Sequence, residues 1–142
     1  MMNISSNGIL FIRQWEGCNL TSYQDGGEVW TMGWGHTCGV AAGQTITQAQ
    51  ADQLLLDDLQ PVESTLNGKV SVPMSQNQFD ALASFTFNLG NAALSGSTLL
   101  KLLNRADYQG AANEFPKWDH DNGKVVQGLL NRRLAEQSLF LS

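Results

Sequence analysis

Residues 15–37 read WEGCNLTSYQDGGEVWTMGWGHT, and this stretch decides the fold. Gly26-Gly27 is a turn signal between two short runs of strand character, so the segment predicts a β-hairpin. In its second run Trp30, Met32 and Trp34 alternate with Thr31, Gly33 and Gly35. Alternation puts the three bulky residues on one face, suited to burial, and leaves the other face bare apart from the Thr31 hydroxyl. A strand face stripped of side chains admits something close to the backbone.

On the N-terminal side, Ile9, Leu10, Ile12 and Trp15 predict a helix over residues 6–16, capped by Ser5 or Ser6 and ended by Gly17. Glu16 falls in its last turn. On the other side, Thr47 with Gln50 forms a capping-box pattern ahead of Leu54, Leu55, Leu56 and Leu59. Pro61 is expected to kink or break this second helix near residue 60, with a further segment running to about Leu66. Ser75 with Gln78 is another capping box, opening a buried helix that Gly90 ends. Further helices are expected over residues 98–104, 108–115 and 129–141. The sum is a small hairpin unit followed by mostly helix, an α+β pattern. Asp119-His120-Asp121-Asn122-Gly123 lacks the calcium-loop pattern and reads as a surface turn.

Composition bounds the function. The chain has 142 residues, 42% of them hydrophobic, enough for a packed core. Its net charge of −5 argues against a nucleic-acid partner, which needs a basic face. The charge is uneven: residues 1–68 hold Arg13 and seven acids, whereas residues 69–142 hold seven bases and six acids. No run approaches the roughly 18–20 apolar residues that span a bilayer. The first residues do not read as a secretory signal, so a soluble cytoplasmic protein is expected. Cys18 and Cys38 are too few for a disulfide framework; one bridge or two reduced thiols both fit. His36, Cys38 and Cys18 do not make a zinc pattern, and no metal or other cofactor is expected.

Glu16, Asp25 and Thr31 are the strongest chemical constellation. A hairpin folded back on the helix end gathers two carboxylates and a hydroxyl around one cleft, a set suited to glycoside hydrolysis. One carboxylic acid protonates the leaving oxygen, and a second group activates water. Such pairs also occur by chance in almost any chain.

The motifs W-E-G-C-x-L-x-x-Y-x-D and W-T-M-G-W-G-H-T closely resemble those of the phage-type lysozymes, or endolysins, of glycoside hydrolase family 24. The family pattern of Glu, eight residues, Asp, five residues, Thr is met by Glu16, Asp25 and Thr31. The similarity continues through residues 43–47, 78–90, 97–104 and 128–137. It implies a lysozyme-like fold in one domain: an N-terminal helix and hairpin lobe (about 1–47), a linking helix (about 48–66) and a helical lobe (about 67–142). Pro61 sits awkwardly inside that linking helix.

The resemblance further implies an inverting muramidase that hydrolyses the β-1,4 bond between N-acetylmuramic acid and N-acetylglucosamine, for host cell lysis. Glu16 matches the general acid, and Asp25 and Thr31 the residues that hold the attacking water. Inversion asks for carboxylates roughly 6.5–9.5 Å apart. Gly35, Phe87, Asn88 and Thr98 match positions lining the cleft. Arg132 matches an arginine that faces the acid, with Arg133 the other candidate. His36 matches a structural residue beneath the cleft. The implied partners are peptidoglycan strands and a holin-type pore for export, since the N-terminal anchor of some relatives is missing. A monomer is expected, made in the host cytoplasm and acting in the periplasm. Two other classes stay open: a catalytically weak wall-binding or effector module, and a lytic transglycosylase, which has no need of the Asp25–Thr31 water site.

Overall fold

The computed structural model describes all of residues 1–142. It is mainly helical, with two short antiparallel strand pairs. Helix α1 (Ser6–Glu16) starts where Ser5 caps it: the Ser5 Oγ accepts from Gly8 N at 3.0 Å. Gly17, at φ 66°, stops it and turns the chain into strand β1 (Asn19–Gln24). Strand β2 (Trp30–Gly33) follows the turn. Helix α2 (Gln48–Lys69) opens on the capping box: Gln50 N donates to Thr47 Oγ1 at 3.1 Å and Thr47 N to Gln50 Oε1 at 2.9 Å.

Pro61 does not break α2, which runs unbroken through it. The ring removes only the bond that residue 61 would give to the Asp57 carbonyl. Asp57 and Pro61 are both exposed, so the orphaned oxygen lies on the solvent side of the helix, where water can satisfy it. Leu55, Leu59, Val62 and Leu66 meanwhile bury the opposite stripe.

The chain forms two compact units, one of residues 10–60 and one of residues 1–9 with 61–142. In the first, β1 and β2 pair with Tyr23 opposite Thr31 and Gln24 opposite Trp30. The faces of this hairpin are the reverse of the sequence expectation. Thr31 and Gly33 are buried, whereas Trp30 and Met32 are half-buried. Gly33 is buried because its lack of a side chain lets α2 come close. A Cβ on Gly33 would lie 3.4 Å from that of Ala51, itself fully buried. The strand also ends at Gly33, at φ 61°, so Trp34 leaves the alternation. Residues 44–46 bond along the other edge of β1, Ser22 N to Gln44 O and Ile46 N to Leu20 O, each at 2.8 Å.

The second unit is built on α3 (Gln76–Leu89), which has both bonds of the Ser75–Gln78 capping box and ends at Gly90. Short helices α4 (Asn91–Ser95), α5 (Thr98–Asn104) and α6 (Tyr108–Glu114) follow. A 3₁₀ turn at Phe115–Lys117 continues α6 with Pro116 inside it. Helix α4 was not expected from sequence. The surface turn at 119–123 is the loop of a second hairpin, β3 (His120–Asp121) with β4 (Lys124–Val125). Its Asn122 and Gly123 both take positive φ, 51° and 76°, as a two-residue Asn-Gly turn requires. Helix α7 (Gln127–Leu141) begins two residues before the expected start.

Phe79, Leu82, Phe85, Leu99, Phe115 and Phe140 are among the large members of this unit's core. Phe85 meets Phe115 and Trp118 edge to face, with centroids 5.4 and 5.5 Å away. Trp118, half-buried, packs against this core. Cys18 and Cys38 are free thiols.

The start of α1 is held by Asp80 of α3. Its carboxylate accepts from Ser5 N at 3.0 Å, from the Ser5 hydroxyl, and from Gln76 Nε2 at 2.8 Å. A Cβ at Gly8 would lie 2.6 Å from both Asp80 Cγ and Ile4 Cγ1. Gly8→Ala is expected to cost about 1–3 kcal/mol despite the better helix propensity of alanine. Denaturant unfolding measures it; an unchanged or raised midpoint would show that Asp80 gives way freely.

Candidate active site

The last turn of α1 presents Glu16, half-buried, at the point where Gly17 redirects the chain. Beside it lies Gly35. Met32 and His36 exchange both backbone bonds at 2.9 Å, closing a tight turn over residues 33–35 in which Gly35 takes φ 84°. A Cβ on Gly35 would stand 3.0 Å from Glu16 Oε2. Glycine is thus required twice there, for the left-handed backbone and for room against the carboxylate. The turn leads into His36, whose Nδ1 lies 2.8 and 3.0 Å from the two Asp58 oxygens.

Asp25 sits at the hairpin turn. Asp25 N donates to Val29 O at 2.9 Å, extending the ladder. Its Oδ1 accepts from Gly27 N at 2.8 Å and Val29 N at 2.9 Å. These bonds fix the carboxylate as a turn-stabilising acceptor and leave Oδ2 clear of protein donors. Because Asp25 stands opposite Val29 and Tyr23 opposite Thr31, Asp25 and Thr31 are diagonal neighbours on one hairpin face. Thr31, 4% exposed, donates its hydroxyl proton to Val29 O at 3.0 Å. Its oxygen lone pairs remain as acceptors.

A cluster that the linear sequence did not announce lies behind Gly35. Trp34 Nε1 and Gln48 Nε2 each donate to Asp52 Oδ1 at 2.9 Å, and Arg13 Nη2 reaches the same oxygen at 3.2 Å. The Arg13 guanidinium also lies over the Trp34 ring, 5.1 Å from its centroid. The bonds from Trp34 and Gln48 hold the Asp52 carboxyl below its ordinary value; burial opposes them, and the charge of Arg13 adds a smaller lowering. No sequence spacing links residues 13, 34 and 52.

Phe87, Asn88 and Thr98 belong to the other unit. Phe87 is half-buried on α3 against that unit's core, and Asn88 and Thr98 are exposed. Arg132 and Arg133 are both buried in α7. Arg133 Nε bonds Glu136 Oε1 at 2.6 Å, and its Nη2 bonds Asn88 Oδ1 at 2.8 Å. Arg132 Nε lies 3.3 Å from Glu136 Oε2, and Ser84 Oγ donates to that oxygen at 2.5 Å. Burial pushes the Glu136 carboxyl above its usual range, opposed by Arg133, Ser84 and Arg132. No group of three or more His, Cys, Asp or Glu side chains converges as a metal site.

Gly35→Ala is expected to lower activity about tenfold to a hundredfold, since a displacement on the ångström scale at a reacting group carries that cost. The check is turbidity clearing of purified peptidoglycan at matched folded concentration. Wild-type rates would show that Glu16 tolerates the added methyl.

The chain has a lysozyme-like α+β fold, with Asp25 and Thr31 on one hairpin face and the end of α1 bringing Glu16 to Gly35. The sequence profile described as Phage lysozyme matches residues 13–136. An endolysin of Acyrthosiphon pisum secondary endosymbiont phage 1 is 46% identical over 145 residues, spanning 99% of each chain. The endolysin of Salmonella phage P22 is 46% identical over the whole of both chains. Among solved structures, the muramidase domain of SpmX from Asticaccaulis excentricus superposes with a TM-score of 0.94 at 37% identity, covering 100% of this chain and 99% of that one. The chain belongs to the phage lysozyme family and is a peptidoglycan-hydrolysing glycoside hydrolase. No helix is long and apolar enough to cross a membrane.

Proposed function

We propose that the chain is an inverting muramidase that cuts the β-1,4 bond between N-acetylmuramic acid and N-acetylglucosamine during host cell lysis. Glu16 gives its proton to the leaving glycosidic oxygen as the C1–O bond breaks. Water adds to C1 from the opposite face and loses its proton to Asp25. The observation that carries this reading is the state of the Asp25–Thr31 face. Asp25 is anchored through Oδ1, so Oδ2 is available as the base. The Thr31 hydrogen is committed to Val29 O, so its oxygen accepts from the water and orients a lone pair toward C1. A covalent intermediate would not need that second water holder.

In the same reading Gly35, Phe87, Asn88 and Thr98 line the path of the glycan strand. Asn88 and Thr98 offer hydrogen bonds to acetamido groups. Arg132 opposes the acid and His36 steadies the turn beneath it. The domain consists of a hairpin lobe, a linking helix and a helical lobe. The protein acts as a monomer, made in the host cytoplasm and released to the periplasm by a holin-type pore. The acidic surface of residues 1–68 makes long-range attraction to an anionic wall weak.

Product analysis tests the reading. Digestion of purified murein is expected to yield reducing muramic ends that appear first as the α-anomer by NMR. Initial β-anomer would replace inversion by retention. Anhydro-muramic ends would make the protein a transglycosylase, and binding without cleavage would make it a wall-binding module.

A further inference from the structure

We propose that Asp52 is a positioning residue for the reaction, seating the Trp34–Gly35 turn against the last turn of α1 so that Gly35 keeps its place beside the Glu16 carboxylate. The inference rests on Glu16 being the general acid.

Gly35 has no side chain with which to fix itself, yet it is the residue whose backbone approaches Glu16 Oε2. Its position must be set by its neighbours. Trp34, immediately before it, carries an anchor, the indole N–H on Asp52 Oδ1 at 2.9 Å. Glu16 has an anchor one helical turn earlier, Arg13, on the same oxygen at 3.2 Å. Gln48, four residues before Asp52 on α2, donates to that oxygen as well and holds the carboxylate in its rotamer. One oxygen of α2 therefore ties the two backbones between which the Glu16 carboxylate lies. The stacking of Arg13 on Trp34 closes the triangle without passing through Asp52. A supporting shell of this kind sets the geometry of a reacting group to a fraction of an ångström. Looseness there is read in kcat, because it displaces the proton donor while the acetamido contacts proposed for Asn88 and Thr98 keep their places.

Three variants and soluble glycan strands decide the matter. Trp34→Phe removes the N–H and keeps the ring under Arg13. Asp52→Ala removes the node. Asp52→Asn keeps the neutral acceptor and loses the charge. Trp34→Phe and Asp52→Ala are each expected to lower kcat about tenfold with KM within about twofold. In the double variant the losses should not multiply, since both changes cut one joint. Asp52→Asn should recover most of the kcat. Folding is checked by circular dichroism, and Trp34→Phe alone is decisive should Asp52→Ala unfold.

The inference is overturned by wild-type kcat per folded molecule in Trp34→Phe, by multiplying losses, or by effects confined to thermal stability. A wild-type protein that does not cleave the strands would instead remove the reading of Glu16. Cleavage that Glu16→Gln stops and Trp34→Phe leaves untouched removes the positioning role alone.

Discussion

Glu16→Gln is expected to reduce peptidoglycan cleavage by about a thousandfold or more, while the thermal midpoint stays within about 2 °C of wild type. Glutamine matches the carboxyl in size, so it fits beside Gly35, where the approach to Oε2 is already close. What it lacks is a proton to give. Departure of a sugar oxygen without protonation leaves an alkoxide, and general acid catalysis is worth about two to four orders of magnitude. The Asp25–Thr31 face of the hairpin is untouched by the change, so binding to murein should persist. Purified variant, a murein clearing assay and a pelleting assay make the measurement. Activity within tenfold of wild type would move the acid to another residue; joint loss of binding and folding would give Glu16 a structural part instead.

The second large effect is on stability. Glu136→Ala is expected to cost about 3–5 kcal/mol, the range for removing one partner from a buried ion pair. Arg133 and Glu136 are both fully buried, and Arg132 is nearly so. Glu136 accepts from Arg133 through both oxygens, at 2.6 and 3.1 Å, and from Ser84 and Arg132 as well. Truncation leaves two buried guanidinium groups without this carboxylate beside the Phe85 ring, over which Arg133 lies at 5.4 Å. A drop of about 10–15 °C in the melting temperature follows for a chain of this length. Burial raises the Glu136 carboxyl above its unfolded value. Its proton-linked contribution is therefore present at low pH and lost as pH rises through that raised value, and Glu136→Gln should remove this slope. Urea unfolding at several pH values reads both effects. A cost under about 1 kcal/mol would mean that desolvation cancels the network's attraction.

Much of this was legible along the chain because it is local. Both capping boxes, Thr47 with Gln50 and Ser75 with Gln78, depend on side chains reaching backbone three residues away, and the structure has both. Gly17 and Gly90 end their helices for the same short-range reason. The hairpin and the spacing of Glu16, Asp25 and Thr31 were equally readable. Alternation told which hairpin residues share a face, but not which residues of β2 are the more deeply buried. Bulk pointed to Trp30 and Met32; the close approach of Ala51 to Gly33 reversed it. The rule that proline breaks helices failed at Pro61 because the Asp57 carbonyl lies on the solvent side, where water can satisfy it.

Sequence alone determined the capped starts of α2 and α3, the glycine ends of α1 and α3, and where the chain turns back on itself at Gly26-Gly27, since each depends on neighbours a few residues apart. Tertiary structure alone decided that Asp52 joins Arg13 to Trp34, that Arg132 and Arg133 are buried on Glu136, and that Gly35 packs beside the Glu16 carboxylate. Those contacts join residues from separate elements or depend on how a helix face is covered. Burial and charge pairing are properties of a packed neighbourhood, and no window of sequence contains one.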